Sequence, residues 1–235
     1  MIFKALKGVK TTNKHPESGN AMIYVLLAIA LFGILTATLS SQNEQADGQD
    51  LDDELVELYA SELIEYSNAA KQVVDQMLIT GSTIDDLDFV NPSSSAFDTA
   101  PHIHKIHHPQ GGGLTYKSDS YPDAFWGYVG RRGWEHITVT NVEWTESSAN
   151  DIMLSFMDLN DEICQKINEK ITGSSTVPTY TSGYTANALF REVVAVSHLD
   201  LDTAACAGCV GYSSLCVADP SAFGQRVFYT ILAGR

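Results

Sequence analysis

The sequence predicts an α+β fold, a long N-terminal helix packed on an antiparallel β-sheet. Three observations carry that expectation. Residues 20–39, NAMIYVLLAIALFGILTATL, form an apolar run, and no charged residue occurs between Glu17 and Glu44. A second stretch with helical three-and-four spacing of apolar residues follows it. The C-terminal half then carries short alternating stretches with one polar helical interruption, an order typical of α+β layer packing.

The apolar run comes first. At about 1.5 Å per residue, roughly 20 residues cross the ~30 Å hydrocarbon core as a helix. Before it stand Lys4, Lys7, Lys10 and Lys14 against Glu17, so the first 20 residues carry about +3 and the rest about −18 of the net −15. Lysines beside a membrane segment stay cytoplasmic, while acidic chain translocates readily. The expected location is therefore the bacterial inner membrane, single-pass, with the N-terminus cytoplasmic and the C-terminal domain periplasmic. An acidic exterior argues against nucleic acid, whose phosphates it would repel, and against a polybasic grip on lipid. A cleaved secretory signal is the competing reading. The run exceeds the usual apolar core of such signals, and Thr36-Ala37-Thr38 is a poor cleavage site, so retention is expected.

Beyond the polar stretch SSQNEQADGQD, helical periodicity resumes at Leu51, Leu55, Leu58, Tyr59, Leu63, Tyr66, Ala70, Val73, Val74 and Met77. Asp52, Asp53, Glu54 and Glu57 fall in its early turns, where acids complement the helix dipole. The apolar run and this stripe are expected to form one long helix, weakened near Gly48 and stopped at Thr80-Gly81-Ser82. From Thr83 to Gly133 the composition turns to Pro, Gly, Ser, His and aromatics, which predicts a long irregular connection. His136 to Trp144 alternates and predicts a strand, as does Asp151 to Leu159. Asn160 to Ile171 predicts a helix ended by Gly173. Val193–Leu201 and Arg226–Leu232 predict later strands.

The four cysteines, Cys164, Cys206, Cys209 and Cys216, all lie past the apolar run. Structural disulfides in an oxidising compartment are expected. The C-x-x-C of Cys206 and Cys209 leaves zinc and redox readings open. Zinc would want a second such pair or paired histidines, and redox chemistry a thioredoxin-like βαβ context. Among the three connectivities, Cys164–Cys209 with Cys206–Cys216 is expected, the second closing a short Gly-containing loop.

Other motifs have bland and sharp readings. His102, His104, His107 and His108 cluster around Lys105 between Pro101 and Pro109; they are candidate metal ligands, a pH-sensitive or partner surface, or an ordinary polar loop. Gly111-Gly112-Gly113 precedes Tyr116-Lys117-Ser118, but Tyr116 stands where a phosphate loop needs glycine, so a flexible loop is expected. Tyr116, Tyr121, Phe125, Trp126, Tyr128, Trp134 and Trp144 either pack the loop on the sheet or form a ligand platform. Asp158 to Glu162 and Asp200 to Asp202 offer oxygens for calcium without matching a calcium loop; Asp158 or Asn160 capping the following helix is the alternative. No nucleophile elbow, H-E-x-x-H or dinucleotide fingerprint occurs, so neither enzyme activity nor a cofactor is expected.

Four stretches carry a resemblance. They are Gly19 to Leu26 (GNAMIYVL), Ile163 to Asn168 (ICQKIN), Gly208-Cys209-Val210, and Phe228 to Arg235 (FYTILAGR). With a basic leader, an apolar helix, a loop, a sheet and a disulfide region, the chain resembles type IV pilins and type II secretion pseudopilins. The resemblance implies a pilin-like fold and cleavage by a prepilin peptidase at Gly19–Asn20. It implies assembly with other pilin-like subunits on an inner-membrane platform, the small residues Ala28, Ala30 and Gly33 permitting close helix approach. One departure stands out: after cleavage at Gly19, Tyr24 occupies the place where most family members carry glutamate. That resembles a minor or tip pseudopilin more than a repeating subunit. An uncleaved, non-polymerising envelope protein whose exported domain binds a ligand or metal is the alternative.

The expected organisation is then a basic leader (1–19), a transmembrane and assembly helix (20–42), and an amphipathic helix continuing into the head (43–80). A variable loop region (81–134) and an antiparallel sheet domain with the disulfide region (135–235) complete it.

Overall fold

The computed structural model describes residues 24–32, 53–117, 133–138, 140–181, 189–190, 199–220 and 224–235. The chain divides into two units, Met1–Asp50 and Leu51–Arg235. In the first, residues 24–32 are helical and their side chains exposed. In the second, helix α1 (Asp53–Ile79) is followed by β1 (Gly133–Ile137), β2 (Thr140–Val142), β3 (Ile152–Met157), α2 (Asp161–Thr172), β4 (Leu199–Leu201), β5 (Ser214–Ala218) and β6 (Arg226–Ala233).

This corrects the expected fold. Among the described residues no single long N-terminal helix runs from the apolar stretch into the head, and no helix is long and apolar enough to cross a membrane. The head helix α1 begins at Asp53, with Asp53 and Glu54 in its first turn. Carboxylates there complement the partial positive charge of a helix N-terminus. The sheet also differs. The main sheet is antiparallel, in the order β1-β3-β6-β5, but β2 and β4 form a separate parallel pair. The alternating stretch from His136 to Trp144 is thus two strands in two sheets.

The buried stripe of α1 agrees with the expected one at Leu63, Tyr66, Ala70, Val74 and Met77 and departs from it in the first turns. Val56, Ala60, Leu63, Ser67, Ala70, Val74 and Met77 are buried at steps of four and three, with Tyr66 beside them, while Leu55 and Leu58 are 41% and 58% exposed. Small residues at Ala60, Ser67 and Ala70 let the helix axis approach the sheet closely. Both sheet faces are covered. On one, Leu63 packs with Phe156, Phe228, Ile163 and Ile167, and further along α1 Val74 and Met77 pack with Ile152, Leu154 and Leu232. On the other, Met153, Met157, Tyr229 and Ile231 pack with Tyr180, Phe190, Leu201 and Cys206. Every residue of β3 is buried, as a central strand covered on both faces requires. Burial raises the phenol pKa values of Tyr180 and Tyr229 above the ordinary tyrosine range, with Asp219 adding to the effect at Tyr180.

Helix α2 is closed at both ends by its own sequence. The Asn160 side chain accepts from Glu162 N at 2.8 Å, and Gly173, at φ +79, donates its N–H to Glu169 O. On its buried face Asn168 does what a further strand would do for the outer edge of β5. It accepts from Cys216 N at 2.8 Å and donates to Cys216 O at 2.8 Å and to Thr176 O at 2.9 Å. One turn earlier Cys164 is bonded to Cys216, and Cys206 is bonded to Cys209. All four cysteines are therefore in disulfides, but in a connectivity other than the expected one. The reason is α2: it carries Cys164 across β5, 5.5 Å from Cys216 between Cα atoms, and the turn at Ala207–Cys209 brings the C-x-x-C pair to 5.3 Å.

Within the region expected to be irregular, residues 82–117 carry one short 3-10 turn, Ile84–Asp86, and otherwise wind as turns into a lobe over the C-terminal half of α1; residues 118–132 lie outside the described residues. Gly81, at φ +112, lets Ser82 N return to Met77 O at 3.0 Å. Residues 88 and 105 bridge, and Ile106 N donates to Asp88 O at 2.9 Å. Lys105 is only 4% exposed, and its ammonium donates to the carbonyls of Ala96, Phe97 and Thr99. Gly111 and Gly112 are packed rather than open, while Gly113 faces open space. A Cβ at Gly111 would lie 2.3 Å from Lys105 O, and one at Gly112 would lie 2.5 Å from Val73 Cγ1.

Candidate functional site

The lobe, α1 and β1 enclose a cleft of about 570 Å³. Its floor is apolar: Ala70 from α1, Leu114 from the lobe, Leu154 from β3 and Leu232 from β6. Its walls are aromatic. The alternation of β1 puts Trp134 and His136 on the face that α1 covers, opposite Phe156 and Leu154 in register. The Trp134 ring sits 4.7 Å from Tyr66 and 5.0 Å from Phe156, and Phe89 stacks on His136 at 4.8 Å and 6°.

Much of the cleft's polar chemistry is already used within the protein. Lys117 pairs with Glu62 and lies 5.6 Å over the Tyr66 ring. Asn91 donates to Tyr116 Oη at 2.7 Å and accepts from Ser93 N at 2.8 Å. His107 donates from Nδ1 to Leu114 O at 3.1 Å, edge-on to Tyr116 at 5.2 Å. Burial lowers the His107 pKa below the ordinary histidine value, opposed by the Leu114 bond and assisted by nearby His136. The arrangement is an amphipathic recess, with an apolar floor and a polar rim at Asp88, Ser94 and Glu135.

The four candidate histidines do not converge. His104 Nδ1 shares a hydrogen bond with Ser82 Oγ at 2.9 Å, and His107 faces the cleft. His102 and His108 stack on each other at 4.2 Å and 8°. Among the described residues no group of three or more His, Cys, Asp or Glu is placed to hold a metal ion. The acidic stretch before α2 is committed to structure. Asn160 caps the helix, Asp161 pairs with Arg226, and Asp158 accepts from Gln225 at 2.7 Å. Asp200 accepts from Asn141 at 2.9 Å, and Asp202 from Ala205 N at 2.6 Å.

Tyr116 and Trp134 of the aromatic set line the cleft, and Trp144 packs on the opposite sheet face. Tyr121, Phe125, Trp126 and Tyr128 lie outside the described residues, as do Gly19, Asn20 and Gly33. Tyr24 and Ala28 lie in the helical run 24–32 with exposed side chains. Two structural centres escaped sequence reasoning: Lys105 and Asn168. A lone lysine between Ile103 and Ile106, and an asparagine one turn after Cys164 on an apolar helix face, were the available signals.

No family model, characterised protein or solved structure matches the chain.

Proposed function

We propose that this chain is a pilin-like, pseudopilin-like structural subunit of a bacterial envelope filament or secretion apparatus, in a minor or tip position. The carrying observation is the uncharged run 20–39, flanked by four lysines before and a strongly acidic, disulfide-bonded head after. In this reading segment 20–42 anchors the chain in the inner membrane and then exchanges lipid for neighbouring subunits through Ala28 and Gly33. The head faces the periplasm, where its two disulfides persist. Its partners are other pilin-like subunits, an assembly platform and a prepilin peptidase acting at Gly19–Asn20. Tyr24, neutral where most family members are acidic, supports the minor position. Membrane fractionation with protease accessibility tests this reading. Protein in the membrane pellet, with a head digested only after the outer membrane is opened, supports it; recovery in the soluble fraction contradicts it.

The cleft favours a second reading, a non-polymerising envelope protein whose exported domain binds a ligand. Its volume falls in the range of small-molecule sites, roughly 300–1,000 Å³. Ligand-observed NMR on the full chain in detergent, with soluble saccharides and short peptides, tests it. Binding lost in Trp134→Ala supports this reading, and no binding from either class counts against it.

A further inference from the structure

The stacked imidazoles of His102 and His108 serve neither proposed function, and their surroundings are unusual. The rings lie 4.2 Å apart and 8° from parallel, with Phe97 tilted against His108 at 5.0 Å. His108 is 8% exposed, and its Nδ1 accepts from Gln110 N at 3.1 Å. His102 Nδ1 is enclosed without a hydrogen-bond partner. Lys105, three residues from each and itself buried, adds a like charge, and Asp98 supplies the opposing one. A proton on His108 therefore faces a stacked imidazole, the Phe97 ring and an ammonium, against the single carboxylate of Asp98.

The pair holds the chain that covers α1. Between them run Lys105 and Ile106, and just after them Gly111 and Gly112 close on Lys105 O and Val73. Gly111 N and Gly113 N both donate to His108 O, and Leu114 N donates to Ile106 O. Ile106 and Leu114 seal Val74 and Met77 of α1 from water.

We propose that the His102–His108 stack is a pH-sensitive latch: neutral, it holds residues 102–114 on α1, and protonated, it releases them. Release would expose Val73, Val74 and Met77 and remove His107, Leu114 and Tyr116 from the cleft wall, so acid would dismantle the cleft.

The charged and titratable groups around the stack are few. Burial lowers the His108 pKa below 6.5, His102 and Lys105 act in the same direction, and Asp98 opposes them. The α1 end beside the lobe contributes Val73, Gln76, Met77 and Thr80, none of which titrates. His104 is engaged with Ser82 and bears on Asp86, and His136 of β1 bears on His107. Because the closed state disfavours the proton, the latch is closed above the ordinary histidine value and opens as pH falls below it.

Hydrogen exchange by mass spectrometry on the full chain in detergent, from pH 7.5 to 5, tests this after correction for intrinsic rates. Each extra proton bound by the open state raises the opening constant by up to about tenfold per pH unit. The expected result is a fall in protection of that order for residues 102–114 below about pH 6.5, while β3 and β6 stay constant. His102→Phe keeps a ring in the stack and leaves the Gln110 bond intact, so its slope should be shallower. His107 and His108 remain in that variant, so its residual slope measures those two histidines without the His102 contribution. Flat protection in the wild type, or an unchanged slope in His102→Phe, overturns the proposal. His102→Gln serves as the second variant and must also make the slope shallower.

Discussion

Replacing Asn168 with alanine tests how far the head depends on one buried amide. Asn168 is fully buried and makes three contacts of 2.8–2.9 Å, two of them to the backbone of Cys216 on the edge of β5. Alanine strands Cys216 N and Cys216 O where water does not reach, while Thr176 O, on an exposed residue, can turn to solvent. Each stranded buried group costs about 1–3 kcal/mol. The two share one side chain and are not additive, so the expected loss is about 2–4 kcal/mol. The Cys164–Cys216 disulfide pins the strand beneath α2 and limits relaxation. For a domain of this size, about 2–4 °C of Tm accompanies each kcal/mol, giving a fall of roughly 10 °C. The assay is thermal unfolding of the full chain in detergent, followed by near-ultraviolet circular dichroism with disulfides intact. Asn168→Asp keeps only the acceptor contact and sets a carboxylate against two carbonyls, so it should be at least as damaging. A Tm within about 2 °C of wild type for Asn168→Ala would refute the reasoning.

Other outcomes follow from the same structure. Removing the Cys164–Cys216 disulfide, with 52 residues of separation, should cost about 4 kcal/mol on the chain-entropy model, against about 2 kcal/mol for Cys206–Cys209 with a separation of 3; urea unfolding of the two double-serine variants measures both. Non-reducing peptide mapping should recover those two pairs and neither Cys164–Cys209 nor Cys206–Cys216. Gly111→Ala should disrupt the lobe by about 2–4 kcal/mol because its Cβ meets backbone, whereas Gly113→Ala meets nothing and should cost about 1 kcal/mol for its φ of +67; limited proteolysis within residues 94–117 ranks them. The Lys170 hydrogen bond holds the Glu57 carboxyl pKa below 4.5, and Lys166 assists. The α1–α2 contact should therefore be strongest above that value and weaken as pH falls through the folded pKa, a response that Lys170→Met should reduce in an acid titration of Tm, Lys166 keeping the remainder.

Parts of the head were legible from local signals. Helix α2 could be read because Asn160, the acids after it and Gly173 mark both ends. Strand β3 could be read from its apolar residues, interrupted only by Ser155, and β6 from residues 227–229 and 231–233. The α1 stripe could be read from Leu63 to Met77 but not in its first turns, where Leu55 and Leu58 outweigh Val56 and Ala60 on a hydrophobicity count. Yet close packing on a sheet selects the small residues. Strand β5 was missed because Ser214–Ala218 is short and lies between the cysteines and a turn. Its inner edge pairs with β6, and its outer edge is met by Asn168, 48 residues away from Cys216. The disulfide pairing was inaccessible for the same reason, since it depends on where α2 crosses β5. The lobe's composition reads as loop, and only tertiary contacts reveal that Lys105 and the glycines organise it. For the cleft, Trp134 and Tyr116 were visible as aromatics, but its α1 wall required the register of the fold.

The central claim, that segment 20–42 anchors and assembles a pilin-like subunit, meets its most direct test at the N-terminus. Mass spectrometry of the protein extracted from membranes of cells with an active prepilin peptidase should find a chain beginning at Asn20. A chain beginning at Met1 in those cells would contradict the filament reading.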